Sequence, residues 1–320
     1  NGQLVGEYEI ADLPRVKLVA AMMGKDFDDL ASIKPESTGD KRKEPMVIEA
    51  RGLSHAGTIK PFDLDIHKGE VIGLTGLLGS GRSELARAIY GADRAQTGTL
   101  KVKGKEVKVK NPIDAMHLGM GLLPDDRKAE GIVADLSVRE NIILAIQAKQ
   151  GILKKIPMAK QCEIADKYID LLQIKCASRE TLIKQLSGGN QQKVILARWL
   201  ATNPDFLILD EPTSQLDPIA ASDFLAVLGK INRELGTAVV LTEHRLEEAF
   251  PLATAVAVMD RGRLLCTGTP QQVGRQLKTL GHGMFLAMPA AMRIWAASDS
   301  KATCPISVCD GRKWLLDYAK

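Results

Sequence analysis

A glycine-rich stretch is the part of this sequence best suited to bind an anion. It follows an apolar strand pattern and precedes a helical one. Glycines let the backbone curl so that successive N–H groups point at one phosphate, and a helix N-terminus adds partial positive charge. The pattern is typical of a phosphate-binding loop, and a glycine turn that merely joins a strand to a helix is the alternative. The stretch reads Gly76-Leu-Leu-Gly79-Ser80-Gly81-Arg82-Ser83-Glu84.

Two side chains of this loop bear on phosphate chemistry. Ser83 is placed to offer its hydroxyl to Mg²⁺. Arg82 stands where a phosphate loop usually has lysine. It keeps the positive charge, but its planar guanidinium cannot replace a compact ammonium between the β- and γ-phosphates. We therefore expect nucleotide binding with weakened phosphoryl transfer.

Two acids follow an apolar strand pattern, Phe206–Leu209. Ligands of open α/β sheets bind at the carboxyl ends of strands, which is where Asp210 and Glu211 lie. We expect Asp210 to hold Mg²⁺ through water and Glu211 to orient and polarise the attacking water. Capping of the next helix is the alternative for this pair.

Two further segments are candidates for phosphate contact. Leu186-Ser187-Gly188-Gly189-Asn190-Gln191 opens a helix, so its glycines expose N–H groups at a second positive helix end. His244 follows the strand pattern 239–243, and a core or capping histidine is the alternative for it.

The elements that must position these residues alternate between strands and helices. Such alternation predicts an α/β sheet, and a helical pattern over residues 137–181 predicts an inserted helical lobe. Residues 36–45 are polar and aperiodic and are predicted to be a linker. The tail after Gly274 has no informative pattern. Strands are predicted at 47–50, 71–74, 206–209 and 238–242, helices at 84–90, 190–202 and 220–235, and hairpins at 101–110 and 255–267.

The motifs together resemble those of the ATPase subunit of an ATP-binding-cassette (ABC) transporter. The glycine loop, the Leu-Ser-Gly-Gly segment, the Asp-Glu strand end, Ser214-Gln-Leu-Asp217 and His244 occur in that family's order. The resemblance covers residues 46–275. It implies a P-loop NTPase with an α/β core, an inserted helical subdomain at about residues 130–190 and an antiparallel β subdomain. Residues 276–320 are then a C-terminal extension.

The resemblance also implies roles and partners. In the family two such domains sandwich ATP, so Ser187 and Gly189, with Gly188 between them, would contact the γ-phosphate bound by the other domain. His244 would hold the γ-phosphate from its own side, and Asp217 would communicate across the interface. The implied ligands are ATP and Mg²⁺. The implied partners are another ABC ATPase domain, membrane permease subunits and, indirectly, a substrate-binding protein, with the chain peripheral on the cytoplasmic face of the cell membrane.

Residues 1–213 resemble the second ATPase domain of tandem sugar-import ATPases of the ribose and galactose type. That group has arginine in the phosphate loop and an acidic Asp-Arg-Lys segment, here Leu122–Lys128. Asp125 accordingly takes the position of the residue that senses Mg²⁺ and the membrane subunit. Residues 1–45 resemble the end of a preceding ATPase domain plus a linker, consistent with a start at Asn1 instead of Met.

Residues 214–320 resemble instead the ATPases of energy-coupling-factor vitamin transporters. The resemblance lies in Ser214–Pro218, Thr242–Glu248, Met259–Arg263 and the tail. The resemblance changes from one group to the other near residues 210–213, a short sequence that both groups share. Recombination or a sequence-assembly error there would account for the change.

Composition excludes several classes of protein. With 43 Lys+Arg against 39 Asp+Glu and 45% hydrophobic residues, the chain has the balance of a globular protein and not of a disordered one. No apolar run is long enough for a membrane span. The five cysteines are scattered and are expected to be free thiols. The net charge of +4 is too mild to indicate nucleic acid as a partner.

Three functions follow from these observations. The first is an ATP-hydrolysing subunit that energises import of a sugar, with an energy-coupling-factor (vitamin) transporter ATPase as the alternative that residues 214–320 suggest. The second is a catalytically weak domain that completes a partner's ATPase site, which Arg82 and Asp125 favour whereas Glu211 and His244 favour the first. The third, an ABC protein of translation or DNA repair, is disfavoured because no heptad run for a coiled coil occurs. The transported solute is not encoded in this chain.

Overall fold

A computed structural model describes residues 41–319 apart from residues 152, 245, 299 and 301. The predicted end of a preceding domain and the first half of the predicted linker, residues 36–40, lie outside the described residues. None of the described helices is both long and apolar enough to cross a membrane. The domain boundaries expected at residues 45 and 275 stay predictions.

The described strands form two sheets. One has four antiparallel strands in the order β2-β1-β4-β5, and the other has six in the order β10-β9-β3-β8-β7-β6. In the larger sheet β9, β3, β8, β7 and β6 are parallel, and β10 pairs antiparallel with β9 at the edge. The strands are β1 Met46–His55, β2 Ile59–His67, β3 Val71–Gly76, β4 Thr97–Val102, β5 Lys105–Val107, β6 Met120–Leu123, β7 Phe206–Asp210, β8 Ala238–Thr242, β9 Ala255–Asp260 and β10 Arg263–Gly268.

The α-helices of the described residues connect these strands and extend the tail. They are α1 Arg82–Tyr90, α2 Pro112–His117, α3 Val138–Gln150, α4 Met158–Leu171, α5 Gly188–Leu200, α6 Pro218–Leu235, α7 Leu246–Ala249, α8 Pro270–Thr279, α9 Ala290–Ala296 and α10 Val308–Tyr318. A π-helical turn covers Arg127–Gly131.

Strand β7 shows why the larger sheet lies in the interior. All five of its residues are buried. Phe206 and Ile208 pack in the core shared with the four-stranded sheet and α1, whereas Leu207 and Leu209 pack on the opposite face against α3, α5 and α6. Alternate side chains of a strand point to opposite faces, so a strand covered on both sides is a continuous apolar run. The apolar run predicted as a buried strand is therefore confirmed.

Local signals fix several helix starts. Ser137 and Glu140 form a reciprocal capping box at the start of α3. Asp217 caps α6 and is followed by a proline in its first turn. Helix α5 begins at Gly188, two residues before the predicted start, and ends before Asn203-Pro204. These short-range signals place the glycine segments and strand ends at defined points of the fold.

The tail after Gly274 contains helical structure that the sequence pattern does not predict. Helices α8 and α9 pack on β9 through Val273, Leu277 and Met292, which join a third apolar cluster. Val308–Tyr318 has no buried residue, although its Trp314 Nε1 donates to Ser300 Oγ at 3.0 Å. The first part of the tail thus completes the fold around β9.

Candidate functional site

The glycine loop connects β3 to α1 in a tight backbone curl. Ser80 N–H donates to Leu77 O at 3.0 Å. Gly79 and Gly81 have φ of 73° and 98°, a region that glycine enters without the steric penalty of a side chain. A Cβ on Gly76 would lie 2.4 Å from Ser80 Oγ. The spacing of the glycines is therefore a requirement of the loop's own conformation.

Ser83 and Asp210 come together from positions 127 residues apart, because α1 begins beside the carboxyl end of β7. Ser83 Oγ donates to Asp210 Oδ1 at 2.9 Å. Thr242 Oγ1 donates to the same carboxylate oxygen at 2.6 Å, since Asp210 and Thr242 are register partners at the ends of β7 and β8. A hydroxyl and a carboxylate are the hard oxygen donors that Mg²⁺ prefers.

Burial raises the pKa of the Asp210 carboxyl, and the negative charges of Asp125 and Glu211 add to this effect. The hydrogen bonds from Thr242 and Ser83 oppose it by stabilising the charged form. Asp125 is itself exposed and accepts a hydrogen bond from the Asp126 amide at 2.7 Å. A carboxylate that is poorly solvated and close to other acids gains from a nearby cation.

Arg82, Glu211 and His244 form a contact triangle beside this pair. Arg82 Nη2 lies 3.0 Å from Glu211 Oε1 and 3.0 Å from His244 Nε2. His244 Nε2 lies 2.8 Å from the same glutamate oxygen. Arg82 is 5% exposed and Glu211 18%, whereas the His244 side chain is 47% exposed. The guanidinium of Arg82, which stands where lysine is usual, is thus paired with Glu211, the acid expected to orient the attacking water.

The triangle offers His244 Nε2 two incompatible partners. Arg82 can only donate, so Nε2 must be unprotonated to accept from it. Glu211 as a carboxylate can only accept, so Nε2 must carry a proton to donate to it. The proton on His244 therefore determines whether the ring bonds to the cation or to the acid.

Glu211 has an unusual backbone. Its φ is 44°, in the left-handed region that residues with a side chain rarely enter. Its N–H donates to Thr242 Oγ1 at 2.7 Å, so the threonine hydroxyl is bonded to both acids of the strand end. Strained residues held in this way concentrate at functional sites.

Thr242 and Glu243 are site residues that the sequence reasoning missed. Glu243 is buried and accepts from the Thr213 N–H at 3.1 Å, and its burial raises the pKa of its carboxyl. Arg82 Nη1 also donates to the Glu243 carbonyl at 3.4 Å. The signal in the sequence was Thr242, the polar residue that ends the apolar run of β8, just as Asp210 ends the apolar run of β7.

The Leu-Ser-Gly-Gly segment makes contacts that are separate from those of the glycine loop. Ser187 is exposed and its Oγ accepts from Asn190 Nδ2 at 2.9 Å. A Cβ on Gly188 would lie 2.7 Å from Arg127 Nη2, and one on Gly189 would lie 3.0 Å from the Ala220 Cβ. None of the hydrogen bonds found among the described residues joins this segment to the glycine loop.

Asp217 and Glu84 occupy helix starts. Asp217 is exposed, and one of its carboxylate oxygens accepts from the N–H groups of Ile219 and Ala220 at 3.0 Å each. Glu84 lies half-buried in the first turn of α1. The capping role of Asp217 accounts for its place in the fold, and its expected role between domains stays a prediction.

The donor set fits a nucleotide with its metal ion. The glycine loop supplies backbone N–H groups at the start of α1, and Ser83 and Asp210 supply adjacent hard oxygens. Glu211 and His244 lie next to them on the ends of the neighbouring strands. The site can therefore bind phosphate, hold a divalent cation and orient a water molecule.

Comparison with known proteins gives a family and named relatives. Residues 59–214 match the family described as ABC transporter. The fructose import ATP-binding protein FruK of Bifidobacterium longum is 40% identical over 267 residues, which are 82% of this chain and 52% of that protein. The galactofuranose transporter ATP-binding protein YtfR of Escherichia coli is 43% identical over 259 residues, 81% of this chain and 51% of that protein. The chain spans about half the length of these relatives.

Solved structures agree on the fold. The chain is similar to cbiO1 from Clostridium perfringens, described as part of the ABC transporter complex cbiONQ, with a TM-score of 0.62 and 22% identity. That likeness covers 74% of this chain and 96% of the other. A nucleotide-free ATP-binding cassette from an ABC transporter gives a TM-score of 0.63 at 21% identity, over 75% of this chain and 97% of the other.

Proposed function

This chain belongs to the ABC transporter family of ATP-binding proteins, and from that premise we propose that it binds ATP with Mg²⁺ and hydrolyses it to drive import of a sugar. The observation that carries the proposal is the convergence of Ser83, Asp210, Glu211 and His244 on the start of α1. Phosphoryl transfer depends on positioning and electrostatics more than on covalent chemistry, and this arrangement supplies both.

Each residue of the site has a proposed role. The N–H groups from Gly76 to Ser83 hold the phosphates, with Glu84 behind them in the first turn. Ser83 and Asp210 hold Mg²⁺, and Asp125 acts on the same ion from further out. When bound, Mg²⁺ neutralises phosphate charge.

Glu211 and His244 are proposed to act on the attacking water and the γ-phosphate. Glu211 holds or deprotonates the water, and His244 holds the γ-phosphate. Arg82 supplies positive charge to the phosphates in place of lysine, and must leave Glu211 to do so. The pairing between Arg82 and Glu211 is therefore expected to slow hydrolysis without preventing nucleotide binding.

A second ATPase domain is the proposed immediate partner. Ser187 and Asp217 are exposed, and Ser187, Gly188 and Gly189 sit at the start of α5, where N–H groups attract anions. We propose that they complete the site of another ABC ATPase domain. Membrane permease subunits at the cytoplasmic face of the membrane are the next partners, and a substrate-binding protein acts through them.

The named relatives support a sugar over a vitamin as the solute. Sugar-import ATP-binding proteins are about 40% identical to this chain. The likeness to cbiO1 is at 22% identity and bears on the fold alone. Import of a sugar is therefore better supported than import of a vitamin.

The test is ATP affinity and turnover of the purified chain with Mg²⁺ and with EDTA, alone and with a partner ATPase domain. We expect Mg²⁺-dependent binding by the chain alone and turnover once the partner is present. Absence of ATP binding would contradict the proposal. Binding without any turnover attributable to this chain's own site would favour the domain that only completes its partner's site.

A further inference from the structure

Two hairpins of the described fold have the same turn. The loop between β9 and β10 consists of Arg261 and Gly262, with φ of 46° and 73°. The loop between β4 and β5 consists of Lys103 and Gly104, with φ of 51° and 76°. Two-residue loops with positive φ at both positions match the right-handed twist of the flanking strands. The two turns therefore have nearly the same backbone conformation.

Their surroundings differ. A Cβ built on Gly104 would have no heavy atom within 4 Å. A Cβ built on Gly262 would lie 2.3 Å from the carbonyl oxygen of Thr58, which belongs to the turn between β1 and β2. Glycine at position 104 serves the turn alone, whereas glycine at position 262 also permits a close approach by other backbone.

Gly262 also makes backbone contacts with the glycine loop, residues 76–84, where the phosphates are proposed to bind. Gly262 N–H donates to Ser80 O at 2.8 Å, and Gly262 O accepts from Lys60 N–H at 2.8 Å. A Cβ on Gly81 would lie 3.2 Å from the Cα of Gly262. Both backbone groups of one turn residue are thus used to join the phosphate loop to the strand β2.

We propose that Gly262 is a positioning residue for the nucleotide site, acting through the peptide bond between Ser80 and Gly81. That peptide is planar and trans, so its C=O and its N–H point in opposite directions. Holding Ser80 O on the β9–β10 turn therefore aims the Gly81 N–H away from the turn. The inference rests on the proposed function, in which loop N–H groups hold the phosphates.

The two matching turns provide a controlled experiment. Gly262→Ala and Gly104→Ala both place alanine at a positive φ, so both include the same backbone strain. Only Gly262→Ala places a Cβ against the Thr58 carbonyl, and relief of that clash must move the Gly262 N–H that holds Ser80 O. We expect it to raise the Kd for ATP with Mg²⁺ by about tenfold, the equivalent of one hydrogen bond to a charged group. Gly104→Ala should leave that Kd unchanged.

Thermal unfolding of both variants separates positioning from folding. A lower midpoint in each, with a changed Kd in Gly262→Ala alone, supports the proposal. Equal Kd values in the two variants would overturn it. If the parent chain itself bound no ATP, the proposed function would fail instead, so the two failures are distinguishable.

A measurement on the parent chain covers the case in which Gly262→Ala does not fold. Amide hydrogen exchange read by NMR reports the bond from Gly262 N–H to Ser80 O. ATP with Mg²⁺ should slow exchange at Gly262 and leave the Lys105 amide, next to the control turn, unchanged. Binding of ATP without any change at Gly262 would contradict the proposal.

Discussion

Arg82→Lys is expected to increase ATP turnover. Arg82 is nearly fully buried, and its Nη2 is shared between Glu211 Oε1 and His244 Nε2, each at 3.0 Å. In this arrangement the guanidinium holds the carboxylate of Glu211, which we propose acts on the attacking water. Lysine has a single compact ammonium that sits between phosphates, and it cannot bridge both partners with a planar fork.

The expected increase in turnover follows from the contact between Arg82 and Glu211, which the substitution weakens. A hydrogen bond to a charged group contributes about 1.5–3 kcal/mol. Each 1.36 kcal/mol of barrier is tenfold in rate, so complete release of Glu211 would give roughly 10–100-fold. Lysine keeps part of the attraction to Glu211, and we therefore expect an increase of about tenfold.

The assay is steady-state phosphate release at saturating ATP with Mg²⁺, in the presence of the partner domain. Arg87→Lys is the matched control, because Arg87 lies on the same helix and pairs with Asp93 and Glu130 away from the site. It should leave turnover at the parent rate. Unchanged or lower turnover of Arg82→Lys would show that the contact between Arg82 and Glu211 does not limit hydrolysis, and Asp125 would be the next residue to test.

Three further outcomes are expected. Gly81→Asp should weaken ATP binding on the order of a hundredfold through like-charge repulsion, as isothermal titration would show, whereas Gly151→Asp, also at positive φ, should bind normally. Asp210→Asn should reduce the Mg²⁺ dependence of ATP affinity by about tenfold, and an unchanged ratio of Kd values with Mg²⁺ and EDTA would contradict its role. Burial raises the pKa of Glu243 in the fold, so its stabilising contribution is lost as pH rises through that pKa. Glu243→Gln should therefore raise the thermal midpoint more at about pH 7 than at about pH 4, and an equal shift at both would refute this.

The sequence predicted the elements whose signals are local. The apolar runs of β3, β7 and β8 have the lengths of buried strands, and both hairpins occur where predicted. The α/β fold and the family resemblance are confirmed. Helices α8, α9 and α10 were not predicted. For α8 the local signal was present and was missed, since Thr269 and Gln272 form a capping box and Val273 and Leu277 lie one helical turn apart on its buried face. Helix α10 buries no residue and so has no apolar face to detect.

The site was predictable in part. The sequence identified the strand ends that carry Asp210 and His244 and the loop that carries Ser83. It could not give the bonds made by Thr242 or the triangle around Arg82, because these depend on strand order and register. The hydrogen bond from Ser83 to Asp210 lies within the sugar-type segment, and that from Thr242 to Asp210 crosses to the segment with the other resemblance. The two segments thus share one hydrogen-bonded site.

Glu211→Gln shows whether this chain binds ATP and uses its own carboxylate to cleave it. The variant keeps the shape of the side chain and removes its charge. A residue that positions or deprotonates a nucleophile contributes about 10²–10⁴-fold to the rate. Turnover and ATP affinity should be measured together, in a complex whose partner site has been silenced. We expect turnover to fall by that factor and ATP binding to be retained. Hydrolysis at the parent rate would contradict it and would leave this chain as the half that completes its partner's site.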